Sequence, residues 1–199
     1  MDRLNNLSTE YPPIDYEEWF KEIPDREKRI DLAKSIEEVF DWLFHLIVLM
    51  VATGEEIDTE YLTMSVQYRL FDLENVNVRY VSEHVVRMAG ETVQTTVTNV
   101  DSDYFVSPQR ASEIAADEAH TYFSYEELQQ AWEDGFTRKS WNTQHDRRVR
   151  KTHREADGQT VRIDEMFHVG GYEMATVKDT ESGAPLNEVA GCRCYVTFS

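Results

Sequence analysis

Residues 137–163 read TRKSWNTQHDRRVRKTHREADGQTVRI, and this stretch decides how the C-terminal part of the chain is interpreted. Turn dipeptides such as Asp157-Gly158 separate short runs rich in β-branched and aromatic residues. Three such runs predict strands: Thr137–Asn142, Thr160–Ile163 and Cys194–Phe198. We therefore predict a small module with short strands at this end of the chain.

The sequence before this stretch follows the helical period. Apolar side chains recur there at three- and four-residue steps, which predicts helices over residues 25–53, 59–73, 80–97 and 108–122, and another from Ser124 to near Gly135. The Val-rich segment that includes Val76 and Val78 also permits extended structure, and we favour a helix over 80–97. The predicted fold class is α+β, with a helical N-terminal half followed by a small α+β module with short strands.

Four short signals predict where these helices begin and end. Gly54 is placed to end the first helix, and Asp58 to cap the second. Ser107-Pro108 is typical of a helix start, because proline lacks the N–H that is unsatisfied at that position. Ser124-x-x-Glu127 has the capping-box pattern and predicts a separate helix start.

The charge of the chain is acidic and unevenly distributed. Its 199 residues include 20 Lys and Arg against 38 Asp and Glu, a formal net charge of −18. Proteins that bind duplex DNA through a general basic surface need an excess of basic residues, so the composition excludes that class. One basic segment nevertheless stands out, in which Asp146 is the single acidic residue. Its members are Arg138, Lys139, Arg147, Arg148, Arg150, Lys151 and Arg154. This segment is predicted to bind an acidic protein surface or phosphate; a solvated charged face is the alternative.

Cysteine usage and hydropathy indicate a protein made in a reducing cytoplasm. The chain has two cysteines, Cys192 and Cys194, and this spacing does not suit a disulfide framework. Residues 1–24 are polar and acidic, unlike a signal peptide. The most apolar stretch, Trp42–Ala52, is too short to span a bilayer. We expect no membrane association.

Motifs from Ser107 to Ser199 occur in an order that resembles the Mu F-like phage head morphogenesis proteins. The matching residues are Arg110-Ala111 with Ile114-Ala115 and Glu118; Lys139, Trp141 and Thr143; Asp146, Arg148-Val149-Arg150 and His153; Asp157-Gly158-Gln159; and Cys192-Arg193-Cys194. Residues 1–106 carry no motif of this kind.

The resemblance implies a minor capsid protein of a bacteriophage head. It divides the chain into a helical N-terminal region, 1–106, for docking on the portal or capsid, and a Mu F-like head morphogenesis module, 107–199. The implied partners are the portal, the major capsid protein or a scaffold protein, with contact to packaged DNA through the basic segment. The expected location is the virion, after assembly in the host cytoplasm, with a role in head assembly or DNA ejection.

The resemblance also bears on a metal site near the Cys-x-Cys motif. Relatives have a further Cys-x-x-Cys and a histidine before the final cysteine pair, a set that suits tetrahedral zinc. Arg150 and Val189 stand at two of those positions here. His153, Cys192 and Cys194 remain as soft ligands, with Asp146 or His145 as the candidate fourth ligand. No cofactor is predicted; bound zinc and two reduced thiols buried in a strand are the two alternatives.

An enzymatic interpretation rests on Asp146, Arg148 and His153. A carboxylate beside an imidazole and a guanidinium suits a general base with a phosphate clamp, as in a nuclease. Asp146 can instead cap a turn or pair with Arg148 or Arg150, and the sequence lacks the established nucleophile, phosphate-loop and metalloprotease motifs. We therefore predict no enzyme, with no catalytic residues. A phage-delivered nuclease or effector and a zinc-dependent adaptor are the alternative functions.

Overall fold

A computed structural model describes residues 9–73 and 78–199, with 78–83 described by their backbone alone. The chain forms two compact units. The first contains the described residues of Met1–Tyr16 and Ile30–Ala116, and the second contains Glu17–Arg29 and Asp117–Ser199. The fold combines a helical N-terminal half with short antiparallel strands in the C-terminal part, so the predicted α+β class is confirmed. The division at 106/107 remains a prediction about the extent of the family module.

The helices of the N-terminal half are α1 (Tyr16–Trp19), α2 (Arg26–Thr53), α3 (Thr59–Phe71), α4 (Val78–Thr98), a 3-10 helix (Asp103–Val106) and α5 (Pro108–Glu133). The long helices agree closely with the sequence periodicity, whereas α1 and the 3-10 helix were not predicted. The predicted helix at 80–97 is confirmed by α4. The extended alternative fails at Val78, where α4 begins, while Val76 lies outside the described residues.

Three of the predicted helix-end signals are confirmed by hydrogen bonds. Gly54 has a φ of 71°, and the N–H of Glu55 donates to the carbonyl of Met50 at 2.9 Å, which closes α2. The side chain of Asp58 accepts from the N–H of Tyr61 at 3.0 Å. At the start of α5, Ser107 Oγ accepts from the N–H of Arg110 at 3.2 Å.

The predicted helix start at Ser124 is wrong. Residues 108–133 form one continuous helix. Ser124 is buried within it, and its hydroxyl donates to the carbonyl of His120 at 2.7 Å. Glu127, the other half of the capping-box pattern, instead forms an ion pair with Arg29. A serine that bonds one turn back is compatible with a helix interior, so the pattern occurs here without a new helix start.

A buried arginine, Arg110, connects α5 to α4 and to the 3-10 helix within the first unit. The Arg110 guanidinium donates to Thr96 Oγ1 and to the Phe105 carbonyl, each at 2.7 Å. It also lies 4.9 Å from the ring centroid of Phe44. Burial lowers the pKa of Arg110 to about 10. These contacts provide hydrogen bonds to a cation that would otherwise be costly to bury.

A three-stranded antiparallel sheet forms the centre of the second unit. Its order is β2 (Thr160–Arg162), β1 (Arg138–Asn142) and β5 (Tyr195–Phe198), so the three predicted strands lie side by side. Four short elements within residues 151–189 were not predicted from the sequence: α6 (Lys151–Ala156), β3 (Phe167–Val169), β4 (Tyr172–Met174) and α7 (Leu186–Val189). The hairpin β3–β4 turns at Gly170 and Gly171, which have positive φ.

The apolar core of the second unit is built around the indole of Trp141 on β1. The buried residues of this core are Trp141, Ala156, Phe167, Val169, Met174, Val177, Val189, Cys192, Cys194 and Val196. Because both cysteines belong to this core, their sulfur atoms lie in a surrounding of low polarity. Among the described residues, no helix combines the length and apolar character needed to cross a membrane.

Candidate functional site

A histidine and two cysteines meet inside the second unit. His153 lies on α6, and Cys192 and Cys194 lie in the segment before β5. Nδ1 of His153 is 3.5 Å from Cys192 Sγ and 3.4 Å from Cys194 Sγ. All three potential ligand atoms lie within 4.8 Å of one another, and all three residues are buried. We call these residues the His-Cys-Cys cluster. The structure therefore brings together the three soft ligands that the sequence singled out.

The second nitrogen of His153 faces a carboxylate. Nε2 lies 3.2 Å from Glu188 Oε2, in a contact that is close but not aligned as a hydrogen bond. The Thr152 hydroxyl donates to the same oxygen at 2.9 Å. A proton on Nε2 would be favoured by this carboxylate, which leaves the Nδ1 lone pair directed at the sulfur atoms. Glu188 thus lies beside the ring nitrogen that faces away from the cysteines.

Burial and hydrogen bonding make the two thiols unequal. The hydrogen bond from Cys194 does most to lower the pKa of Cys192, which falls well below its usual value with further help from His153. The same hydrogen bond raises the pKa of Cys194, and burial raises it further. Burial lowers the pKa of His153, but the hydrogen bond and charge of Cys192 more than offset this, so the pKa is raised. The cluster can therefore hold a negative charge on one sulfur beside an imidazole.

The backbone that carries the cysteines is held by polar side chains. Lys178 is buried, and its Nζ donates to the Val189 carbonyl at 2.8 Å. Nζ also lies 2.5 Å from Asp117 Oδ1, an atom that accepts from the N–H of Gly191 at 2.8 Å. His120 Nε2 lies 2.8 Å from the Cys194 carbonyl. These contacts fix the main chain on both sides of the Cys-x-Cys segment.

His120 is a buried structural histidine. Its Nδ1 lies 3.0 Å from Arg29 Nη1, while Nε2 faces the Cys194 carbonyl. Burial lowers the pKa of His120 well below its usual value, and the charges of Arg29 and Lys178 lower it further. The ring is therefore neutral and both of its nitrogens are used.

A small pocket opens beside the His-Cys-Cys cluster. It is lined by the three cluster residues together with Arg148, Val149, Arg150, Gly191 and Arg193. Two of its guanidinium groups are already engaged: Arg150 donates to the Ala190 carbonyl, and Arg193 donates to Asp146. The pocket has room for about one water molecule beside the buried cluster.

Neither candidate fourth ligand joins the His-Cys-Cys cluster. Asp146 binds Arg193 and also accepts from the N–H of Arg148 at 2.8 Å. Burial raises the pKa of this carboxyl, but its hydrogen bonds to Arg193 and Arg148 more than offset that, so the pKa is lowered. His145 is largely exposed and faces Asp157, with Nδ1 and Oδ2 3.5 Å apart. Asp146 therefore fixes a turn, as the alternative interpretation predicted, but the arginine side chain that it pairs with is that of Arg193 and not that of Arg148 or Arg150.

The basic segment is only partly a surface. Its exposed members are Arg138, Arg147, Arg148, Lys151 and Arg154, and Arg150 is half-buried. Lys139 is buried, and its Nζ donates to the Ala175 carbonyl at 2.6 Å and lies 5.1 Å from the centroid of the Phe167 ring. Lys139 is therefore not available to a partner, contrary to its inclusion in the predicted binding segment.

Two important residues escaped sequence analysis. Glu188 lies in a polar stretch that looks like ordinary surface, and the sequence gives no sign that the fold brings it to His153. Lys178 has a φ of 59°, which is unusual outside glycine, and its pairing with Asp117 spans a long separation in the chain. Both contacts depend on tertiary structure that local patterns do not encode.

One comparison with known proteins gave a match. The sequence profile of the family described as Phage Mu protein F like protein matches residues 80–197, more than half of the chain. The matched range contains the Trp141 core, the His-Cys-Cys cluster and the basic segment. No curated protein and no solved structure matched the chain in the other two comparisons.

Proposed function

We propose, from the premise that this chain belongs to the Phage Mu protein F like family, that it is a minor structural protein of a bacteriophage head. In this proposal it associates with the portal or with the capsid interior. It takes part in head assembly or in delivery of the genome and is found in the virion after assembly in the host cytoplasm. The family match over residues 80–197 is the observation that carries the proposal.

An exposed apolar stripe on α3 supports docking on another head protein. Tyr61, Met64 and Tyr68 are 62%, 62% and 72% exposed. They are spaced by three and four residues and so lie on one face of the helix. The opposite face is buried through Leu62 and Val66. Aromatic and methionine side chains are enriched in protein interfaces, so this face suits a protein partner.

The charge around this stripe indicates what kind of partner surface it suits. Glu55, Glu56 and Glu60 are exposed at the start of α3 or just before it. An interface with an apolar centre and an acidic rim favours a partner whose rim is basic. The exposed arginines of the basic segment would make the opposite kind of contact, to packaged DNA or to an acidic portal surface.

The proposal is tested by incorporation into proheads. The gene is deleted from the phage that encodes it, and proheads are purified after complementation with wild-type chain, with a Tyr61→Ser/Tyr68→Ser double variant, or with Leu186→Ser. Leu186 is 76% exposed and serves as the matched control in the second unit. Loss of two interface aromatics should cost roughly 2–4 kcal/mol of binding. A loss of about 1.4 kcal/mol lowers the affinity tenfold. We therefore expect incorporation of the double variant into proheads to fall at least tenfold and incorporation of the control to be unchanged.

Two outcomes would count against this account in different ways. Equal incorporation of all three chains would refute the stripe as a docking surface. Failure of the wild-type chain to enter proheads would refute the head-protein function itself. Circular dichroism of the purified variants shows that a loss of incorporation is not a loss of folding.

We propose further that the protein acts by binding, without catalysis. The nuclease alternative is tested by incubating purified protein with single- and double-stranded DNA in the presence of Mg²⁺ or Zn²⁺. We expect no cleavage. Cleavage by the wild-type chain that disappears in a folded His153→Ala variant would overturn this proposal.

A further inference from the structure

We propose that His153 Nδ1, Cys192 Sγ and Cys194 Sγ bind one zinc ion, with the fourth coordination position facing the pocket beside Arg150 and Arg193. This inference is independent of the head-protein function, since it rests only on the arrangement of side chains in the second unit. It assigns a bound metal ion to the His-Cys-Cys cluster and names the three atoms that hold it.

The distances between the donor atoms fit a tetrahedral zinc ion. Zinc binds thiolate sulfur at about 2.3 Å and imidazole nitrogen at about 2.0–2.1 Å. With a tetrahedral angle between these bonds, the nitrogen and each sulfur should be separated by about 3.6 Å. The observed separations from His153 Nδ1 are 3.5 Å to Cys192 and 3.4 Å to Cys194. Both nitrogen–sulfur separations therefore suit one ion, and the third separation, between the two sulfur atoms, is at most 4.8 Å.

The surroundings of His153 also fit those of a metal-binding imidazole. Histidine ligands usually donate their second ring N–H to a carboxylate or carbonyl, which fixes the ring and strengthens the ligand. Here Nε2 is 3.2 Å from Glu188 Oε2, and Glu188 is itself held by the Thr152 hydroxyl at 2.9 Å. The Glu188 carboxylate thus lies on one side of the imidazole and the two sulfur atoms on the other, which is the order found in carboxylate–histidine–zinc sites.

The donor atoms of the cluster indicate which metal ion it binds. Because the cluster is buried, the charge of that ion must be neutralised by its ligands. Two thiolates and one imidazole are donors that suit zinc, whereas magnesium and calcium are bound by oxygen donors. Zinc binding releases the protons of its thiol ligands, and the two resulting thiolates neutralise the double charge of Zn²⁺, so the complex can lie in the apolar core around Trp141 without an uncompensated charge. The aromatic rings of Trp141 and His153 are perpendicular, with centroids 5.6 Å apart, and this packing restricts the orientation of the imidazole.

Three protein ligands leave one position open. All three cluster residues line the pocket that also contains Arg148, Arg150 and Arg193. In the described residues, no other histidine, cysteine or carboxylate joins the His-Cys-Cys cluster. A water molecule reaching the metal through the pocket would complete the tetrahedron. The arrangement resembles zinc sites with an accessible position rather than closed structural sites with four protein ligands.

Metal titration of the reduced, full-length protein tests this proposal. Co²⁺ is added to metal-free protein, and thiolate-to-cobalt charge-transfer bands in the near ultraviolet report sulfur ligation. We expect saturation at one Co²⁺ per chain, displacement by one Zn²⁺, and a zinc dissociation constant below about 1 µM, comparable to at least about 8 kcal/mol of binding free energy. X-ray absorption of the zinc form should show two sulfur neighbours at about 2.3 Å and nitrogen or oxygen neighbours at about 2.0 Å.

Matched variants distinguish metal binding at the His-Cys-Cys cluster from metal binding elsewhere on the chain. His145→Ala serves as the control, because this histidine is exposed and lies outside the cluster; it should bind cobalt as wild type does. Cys192→Ser/Cys194→Ser should lose the charge-transfer bands. Glu188→Gln should keep them but bind zinc about 10–100-fold more weakly. Absence of charge-transfer bands in the folded wild-type protein would overturn the proposal, as would bands that persist in the double serine variant.

Discussion

The buried pair Lys178–Asp117 gives a prediction whose magnitude follows from burial. Nζ of Lys178 lies 2.5 Å from Asp117 Oδ1, and the two side chains are 2% and 21% exposed. Removing one partner of a buried ion pair typically costs about 3–5 kcal/mol, because the other charge stays buried without compensation. Lys178 is the more deeply buried partner, so losing the charge of Asp117 should be the more costly change.

Two substitutions and their combination test this reasoning. Asp117→Asn leaves the ammonium of Lys178 unpaired and should destabilise the second unit by about 3–4 kcal/mol. Lys178→Met keeps the apolar stem and leaves a carboxylate that reaches water, and should cost about 2–3 kcal/mol. The double variant has neither charge, so its loss of unfolding free energy should be about 2 kcal/mol smaller than the sum of the losses in the two single variants.

Hydrogen exchange at the amides of β1 is the appropriate assay. The chain has two compact units, and β1 lies at the centre of the sheet in the second, so its amides report the free energy of opening of that unit. If the loss of stability in the double variant equals the sum of the two single losses to within about 0.5 kcal/mol, Lys178 and Asp117 are not coupled and the reasoning is refuted. A Lys178→Met variant less stable than Asp117→Asn would refute the argument from burial.

Three further changes have expected outcomes. Burial lowers the pKa of Lys139 to about 8, against about 10.4 in an unfolded chain. The unfolded chain therefore binds more protons between these values, and the free energy of unfolding should rise with pH across that window by at most about 3 kcal/mol. Urea denaturation of wild type and Lys139→Met from pH 7.5 to 10.5 should show this rise only in wild type, and parallel curves would contradict it. Gly90 lies within α4, and a Cβ there would meet only Thr63 Cγ2 at 3.8 Å. Gly90→Ala should therefore raise the free energy of unfolding by about 0.5–1 kcal/mol, and a lower midpoint in urea would show that the helix is crowded there. Asp58→Ala removes the acceptor for the N–H of Tyr61 and should lower the thermal stability of the first unit by about 1 kcal/mol; an unchanged midpoint would show that the cap is not needed.

The sequence was most informative where structure depends on local chemistry. The long helix α2 is specified by its apolar period, and its end by the ability of Gly54 to adopt a positive φ. The same kind of reasoning failed at Ser124, because a capping pattern does not reveal whether the serine will be buried in a continuing helix. The strands β3 and β4 contain three residues each, too few for a period to be recognised.

The candidate site was predictable in its donor atoms and not in its surroundings. His153, Cys192 and Cys194 are residue types with recognised metal chemistry, and the fold brings them together. Asp146 looked equally suitable, but its carboxylate is bound to Arg193. The pairing of Glu188 with His153 joins α7 to α6, and neither short helix was predicted. Long-range contacts between short elements are the part of the site that local sequence patterns cannot specify.

The most direct test of the head-protein function is the amount of this chain in purified particles. Quantitative mass spectrometry of proheads and of mature virions gives its copy number relative to the portal protein. We expect the wild-type chain in proheads at a small, fixed ratio to the portal, with retention in virions if it acts in genome delivery. Its absence from both proheads and virions would contradict the proposed function.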